Sequence, residues 1–154
     1  AGIIVGKGSY IEKMKKHTLN RAIRPDKLCL AALYETLLHY LKDEAEREIP
    51  IWRMIAAPLD EIRQRAVDWA QALGDGAVIQ GESTVGGGSL PGESMPTWLL
   101  ALPVKNPTRF MKHLRRGQPP LIARLENDQV LLDPRTVLPE QEAELLQVLT
   151  QAVA

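Results

Sequence analysis

Ala77-Val78-Ile79-Gln80, then Glu82-Ser83-Thr84-Val85-Gly86-Gly87-Gly88-Ser89-Leu90-Pro91-Gly92-Glu93-Ser94-Met95-Pro96-Thr97, then Trp98-Leu99-Leu100-Ala101-Leu102 is the stretch on which the fold turns. Two apolar runs of strand length flank a segment with almost nothing to bury, which predicts two strands joined by a long loop over 82–97. Three consecutive glycines lose backbone entropy on folding and supply nothing to a core. They let the main chain come close to something, with the hydroxyls of Ser83, Thr84 and Ser89 nearby. Pro91 and Pro96 stiffen the exit, so this is not a slack tether. The loop reads equally as a bare surface connection and as one that faces a ligand.

Outward from that stretch, Trp98 to Val104 is apolar throughout and suits an interior strand, with Pro103 near its end. Asn106-Pro107 caps and opens a helix that Gly117 stops, and 121–125 and 130–132 flank Glu126-Asn127-Asp128-Gln129 as a hairpin. Pro139 begins the last helix, acidic at its start. On the other side, Pro58 opens a helix with Asp60 and Glu61 in its first turn and Leu59, Ile62, Ala66, Trp69 and Leu73 inward, and Gly74 ends it. The order β, β, α, β, β, α behind long helices predicts an α/β domain of α+β-like character: a small mixed or antiparallel sheet with helices on one face.

The first third has a different texture. Ala1 to Gly6 reads as a strand with no neighbour nearby, which is the pattern of a C-terminal piece cut from a larger sheet. Ser9 can cap a short basic helix to Lys16. Lys13, Lys15 and Lys16 form a solvated face that could brush a phosphate backbone. Lys27 to Lys42 carries Leu30, Leu33, Tyr34, Leu37, Leu38 and Leu41 at helical spacing and is expected to be substantially buried, with Cys29 a buried, inert thiol. Ile49 to Ile55 reads as an apolar connector broken by Pro50. These readings divide the chain into 1–56, a strand end with a basic helix and a linking helix, and 57–154, a small α/β domain.

Arg21 and Arg24 stand three apart just ahead of the helix that Pro25 and Asp26 start. Two guanidiniums beside a helix N-terminus suit a phosphate, a sulfate-like ion or a carboxylate, and the same spacing also fits surface ion pairs with Asp26 or a nearby glutamate. The 154 residues allow one ordinary domain with a core, and 19 basic residues balance 19 acidic ones, so non-specific nucleic-acid affinity of the whole chain is not indicated. A single cysteine excludes an internal disulfide and is consistent with a reducing compartment. The three scattered histidines predict no metal site, and no apolar run is long enough to span a bilayer.

Ala1 to Lys7, Arg21-Ala22-Ile23-Arg24-Pro25-Asp26-Lys27-Leu28 and Ser83 to Glu93 together resemble the C-terminal part of bacterial L-seryl-tRNA(Sec) selenium transferase, or selenocysteine synthase. The resemblance covers essentially the whole chain. It implies a fold-type I pyridoxal-phosphate enzyme of the cytoplasm, a ring-like homo-oligomer. That enzyme converts seryl-tRNA(Sec) to selenocysteinyl-tRNA(Sec) with selenophosphate, through a cofactor-bound aminoacrylate. It further implies that Arg21 and Arg24 hold anionic substrate groups and that Gly86, Gly87, Gly88 and Ser89 line the active-site entrance. The Schiff-base lysine is implied upstream of Ala1. Lys7 and Lys27 do not match it, and this piece alone is expected to be inactive. Two other readings compete: a related lyase acting on a small phosphorylated amino compound, and a cofactor-free interaction module.

Overall fold

The structure, a computed structural model, describes residues 3–86 and 92–153. The chain forms two compact units, Ala1–Ile49 and Pro50–Ala154.

The first unit is helical: α1 is Gly8–Lys15, α2 Leu19–Ala22, α3 Lys27–Leu41 and α4 Ala45–Glu48. Residues 3–7 carry no regular secondary structure, so the strand expected at 1–6 is absent from its described part. A strand requires a hydrogen-bonded neighbour, and among the described residues no strand pairs with this segment. Ser9 lies inside α1 rather than capping it; the capping position is Lys7, which makes no side-chain cap. α3 begins as expected, with Asp26 accepting the Cys29 N–H at 2.8 Å. Its burial is not as expected. No described residue of this unit is buried, Leu28 and Leu41 are 80% and 82% exposed, and Cys29 is exposed as well. Helical periodicity decides which side chains share a face, whereas burial needs a second surface to cover them. At the far end of α3, Glu44 accepts from His39 Nδ1 at 2.9 Å and from Arg47 Nη2 at 3.2 Å. The His39 contact, with lesser help from Lys42 and Arg47, holds the Glu44 carboxyl below the usual range.

The second unit holds the core. Its helices are α5 (Pro50–Ala56), α6 (Leu59–Leu73), α7 (Pro107–Leu114) and α8 (Glu142–Val153), and its strands are β1 (Ala77–Thr84), β2 (Ser94–Leu102), β3 (Arg124–Glu126) and β4 (Gln129–Leu132). The expected proline-broken connector is therefore a short helix: Pro50 occupies its first position, where the missing N–H has no partner to lose. α6 presents Ile62, Ala66 and Trp69, one stripe at helical spacing and all fully buried. Gly74 closes it at φ +69°, a conformation that glycine adopts without strain. Leu59, expected inward, is 41% exposed in the first turn.

The four strands form one antiparallel sheet in the order β1-β2-β4-β3. β2 lies in the interior, as its unbroken apolar run requires. Asn127 and Asp128 both take positive φ between the paired Glu126 and Gln129, the two-residue turn whose twist matches a hairpin. Alternation sends Leu100 and Leu102 to one face, where they join Trp69 of α6, Leu114 of α7 and Leu145 and Leu149 of α8. Leu99, Ala101, Leu131 and Ile79 gather on the other. Arg65 of α6 meets Glu142 at the start of α8 and donates to the Val137 carbonyl at 2.6 Å, while Arg53 grips both oxygens of Glu140 at 2.9 and 3.0 Å.

The hairpin stem is longer than expected. β1 runs on to Thr84 and β2 starts at Ser94, which pair with each other, so the connection spans 85–93 rather than 82–97. Gly81 is part of this stem for a packing reason: a Cβ there would stand 2.4 Å from Leu99 Cδ1 and 3.1 Å from its Cγ. Leu99 is 2% exposed and has little room to move. Gly81→Ala is therefore expected to destabilise the unit by about 1–3 kcal/mol through overpacking. Urea unfolding of the variant beside the parent measures it, and equal midpoints would show that Leu99 yields freely.

Candidate functional site

In the first unit, the turn from α2 to α3 carries the arginine pair. Arg21 is the third residue of α2, and Arg24 stands two residues ahead of the Asp26 cap. Both are exposed, and among the described residues neither makes an ion pair. Asp26 is turned to its own helix instead. The Cys29 N–H keeps the Asp26 carboxyl ionised to lower pH than usual. Both guanidiniums are exposed and belong to the segment that leads into the positive end of the 15-residue helix α3. Such an arrangement can take an oxyanion with charge-assisted, bidentate hydrogen bonds.

In the second unit, the glycine connection leaves β1 at Val85-Gly86. Gly86 has φ +115° and Gly92 φ +85°, backbone that an L side chain would strain. Gly87, Gly88 and Ser89 lie outside the described residues. The loop end of the hairpin is fixed by a group that sequence reasoning missed. Asp133 follows β4, with its side chain 7% exposed. Its Oδ2 accepts from Ser83 Oγ at 2.5 Å, and its Oδ1 accepts from Thr97 Oγ1 and the Arg135 N–H, each at 3.0 Å. Ser83 and Thr97 are 4% and 2% exposed, so this one carboxylate answers two buried hydroxyls on adjacent strands.

Arg135, 6% exposed, then reaches back. Its Nη1 donates to the carbonyls of Met54, Ile55 and Ala57 at 3.0, 3.1 and 3.3 Å, and its Nη2 to that of Pro96 at 2.8 Å. A cation thereby caps the C-terminal end of α5 and ties it to the start of β2. Burial pushes the guanidinium pKa down, and Asp133 pushes it back up. Arg124 donates to the Glu82 carbonyl at 2.8 Å and stands 3.9 Å from Asp133. The readable signal was an aspartate directly after a buried strand, with a serine and a threonine on the two strands of the preceding hairpin. Cavities of 130 and 430 Å³ flank Asp133 and share Ile122, Asp133 and Thr136 in their walls.

Pyridoxal phosphate is anchored through a lysine held in a desolvated pocket. The eight lysines of this chain are all exposed, so none of them fits that role. Among the described residues no group of histidine, cysteine and acidic side chains could hold a metal ion, and no helix is long and apolar enough to cross a membrane.

The family model of L-seryl-tRNA selenium transferase matches residues 1–138. The L-seryl-tRNA(Sec) selenium transferase of Desulfovibrio desulfuricans is 41% identical across 100% of this chain and 35% of its own length. The protein of the same name from Nitratidesulfovibrio vulgaris is 43% identical across 99% of the chain and 35% of its own. That from Geobacter sulfurreducens is 39% identical, with 98% and 35% covered. The chain spans about a third of the length of these curated relatives.

Proposed function

The chain belongs to the L-seryl-tRNA selenium transferase family, and on that premise we propose that it is the C-terminal part of an enzyme that converts seryl-tRNA(Sec) to selenocysteinyl-tRNA(Sec). The observation that carries the reading is the open arginine pair, Arg21 and Arg24, beside the start of α3. Replacing a serine hydroxyl with selenium calls for an anionic donor such as selenophosphate, and two fixed cations with free donors bind and orient such a group. Arg21 and Arg24 hold the donor oxyanion, and their charge stabilises negative charge on the departing phosphate. In the second unit, Gly86 at φ +115° offers backbone without a side chain for close approach by a ligand.

The cofactor is pyridoxal phosphate, which supplies an electron sink, and its lysine comes from polypeptide outside these 154 residues. The same reading gives the whole protein a fold-type I scaffold, a ring-like homo-oligomeric state and a cytoplasmic location. These 154 residues alone have no transferase activity.

The test uses the full-length protein with seryl-tRNA(Sec) and isotopically labelled selenophosphate. Label recovered on the tRNA, and released as selenocysteine after mild alkaline deacylation, is the expected result. No label on tRNA, together with turnover of a small phosphorylated amino compound, would replace the transferase with a lyase.

A further inference from the structure

Charge is very unevenly distributed along this neutral chain. Between positions 7 and 27 stand seven cations, Lys7, Lys13, Lys15, Lys16, Arg21, Arg24 and Lys27, against the two acids Glu12 and Asp26. The segment therefore carries +5 and the rest of the chain −5. Every one of these charged side chains is exposed. A single ion pair forms among them, Lys15 with Glu12 at 2.8 Å, and both partners remain mostly in solvent.

The segment is also locally braced. Asn20 Nδ2 donates to the Lys15 carbonyl at 3.0 Å, the Leu19 N–H meets His17 Nδ1 at 3.2 Å, and the Arg21 N–H meets the Thr18 carbonyl at 3.2 Å. These bonds fix α2 to the end of α1, so Lys13 and Lys16 are held on one folded piece with Arg21. Lys13 and Lys16 are three apart and therefore neighbours on the helix surface. Compact ammonium groups on long stems suit a row of phosphates, whereas the planar guanidinium fork of arginine matches two oxygens of a single oxyanion better. Tyr10, 63% exposed on the same helix, offers a ring on which an unpaired base can stack.

We infer that the segment 7–27 is a contact surface for the phosphodiester backbone of an RNA substrate, with Lys13 and Lys16 at its centre. The choice of RNA rests on the transferase reading above, in which the substrate is itself a tRNA. The lysines supply affinity without base specificity, and the arginine pair beside them remains free for the small anion.

The experiment measures binding of uncharged tRNA to the full-length enzyme across a range of salt concentrations. Lys13→Ala with Lys16→Ala is expected to weaken binding roughly 10-fold at physiological salt. The slope of log K against log salt should shrink by about 0.7–0.9 for each phosphate that the variant no longer neutralises. The KM for the selenium donor stays unchanged, Lys13→Arg with Lys16→Arg restores binding, and Lys112→Ala, outside the segment, leaves it untouched. Unchanged affinity and slope in the double alanine variant would overturn the inference even if the enzyme makes selenocysteinyl-tRNA(Sec). So would a loss confined to phosphatidylserine vesicles with tRNA binding intact. Lysine-dependent tRNA binding in an enzyme that transfers no selenium would uphold this surface and sink the transferase reading instead.

Discussion

The Asp133→Ala variant is expected to lose about 3–5 kcal/mol of folding stability, a large share of what a domain of this size possesses. The carboxylate is nearly out of solvent and answers three donors: the Ser83 and Thr97 hydroxyls and the Arg135 N–H. Truncation leaves the two hydroxyls buried without a partner and removes the negative charge that opposes the desolvation of Arg135. A bond to a charged acceptor is worth more than a neutral one, so asparagine, which keeps the shape and loses the charge, should fall between alanine and the parent.

The consequences go beyond one hydrogen bond, because Asp133 and Arg135 together tie β1, β2 and the end of α5. Loss of the carboxylate should loosen the hairpin from its loop end, so that amides around Ser83 and Thr97 exchange faster than those around Leu100. Urea unfolding gives the stability change, and thermal unfolding should show a fall on the order of 10 °C. A second variant separates the hydrogen bonds from the shape: Ser83→Ala with Thr97→Val in the Asp133→Ala background removes the stranded hydroxyls and should recover part of the loss. A loss below about 1 kcal/mol in the single variant would show that water replaces the carboxylate cheaply.

Arg21→Ala and Arg24→Ala, made in the full-length enzyme, are expected to produce the opposite pattern: a large kinetic effect and almost no effect on stability. Each side chain is exposed and, among the described residues, free of ion pairs, so unfolding midpoints should hold within about 0.5 kcal/mol. Hydrogen bonds to a charged group are worth roughly 1.5–3 kcal/mol, which becomes a roughly 10- to 100-fold fall in kcat/KM for the selenium donor. Lysine at either position should restore only part of it, since a point charge cannot reproduce the guanidinium fork. The KM for seryl-tRNA(Sec) should move little, which separates this pair from Lys13 and Lys16. Equal turnover by variant and parent at limiting donor would remove the arginines from the anion site.

Much of the fold could be read locally because its signals are local. Pro25-Asp26 opens α3, Pro58 and Gly74 bracket α6, Asn106-Pro107 starts α7, and Asn127-Asp128 turns the β3–β4 hairpin, each through the dihedral or capping preference of the residue itself. The place of Arg21 and Arg24 ahead of a capped helix was legible for the same reason, since it is a short-range pattern. The length of the β1–β2 stem was not. Gly81, Ser83, Pro96 and Thr97 carry loop chemistry, and they are held in strands by Leu99 packing over the glycine and by Asp133, 50 residues from Ser83 and 36 from Thr97.

The burial of α3 was misread on similar grounds. Its leucines share faces as the periodicity requires, yet periodicity carries no information about a covering surface, and in this unit they remain exposed. Local sequence thus determined where each helix and turn begins, because capping and dihedral preferences act within a few residues. Tertiary structure alone decided which polar residues could be buried and how far the hairpin extends, because a desolvated hydroxyl is tolerated only where a distant chain segment brings it an acceptor.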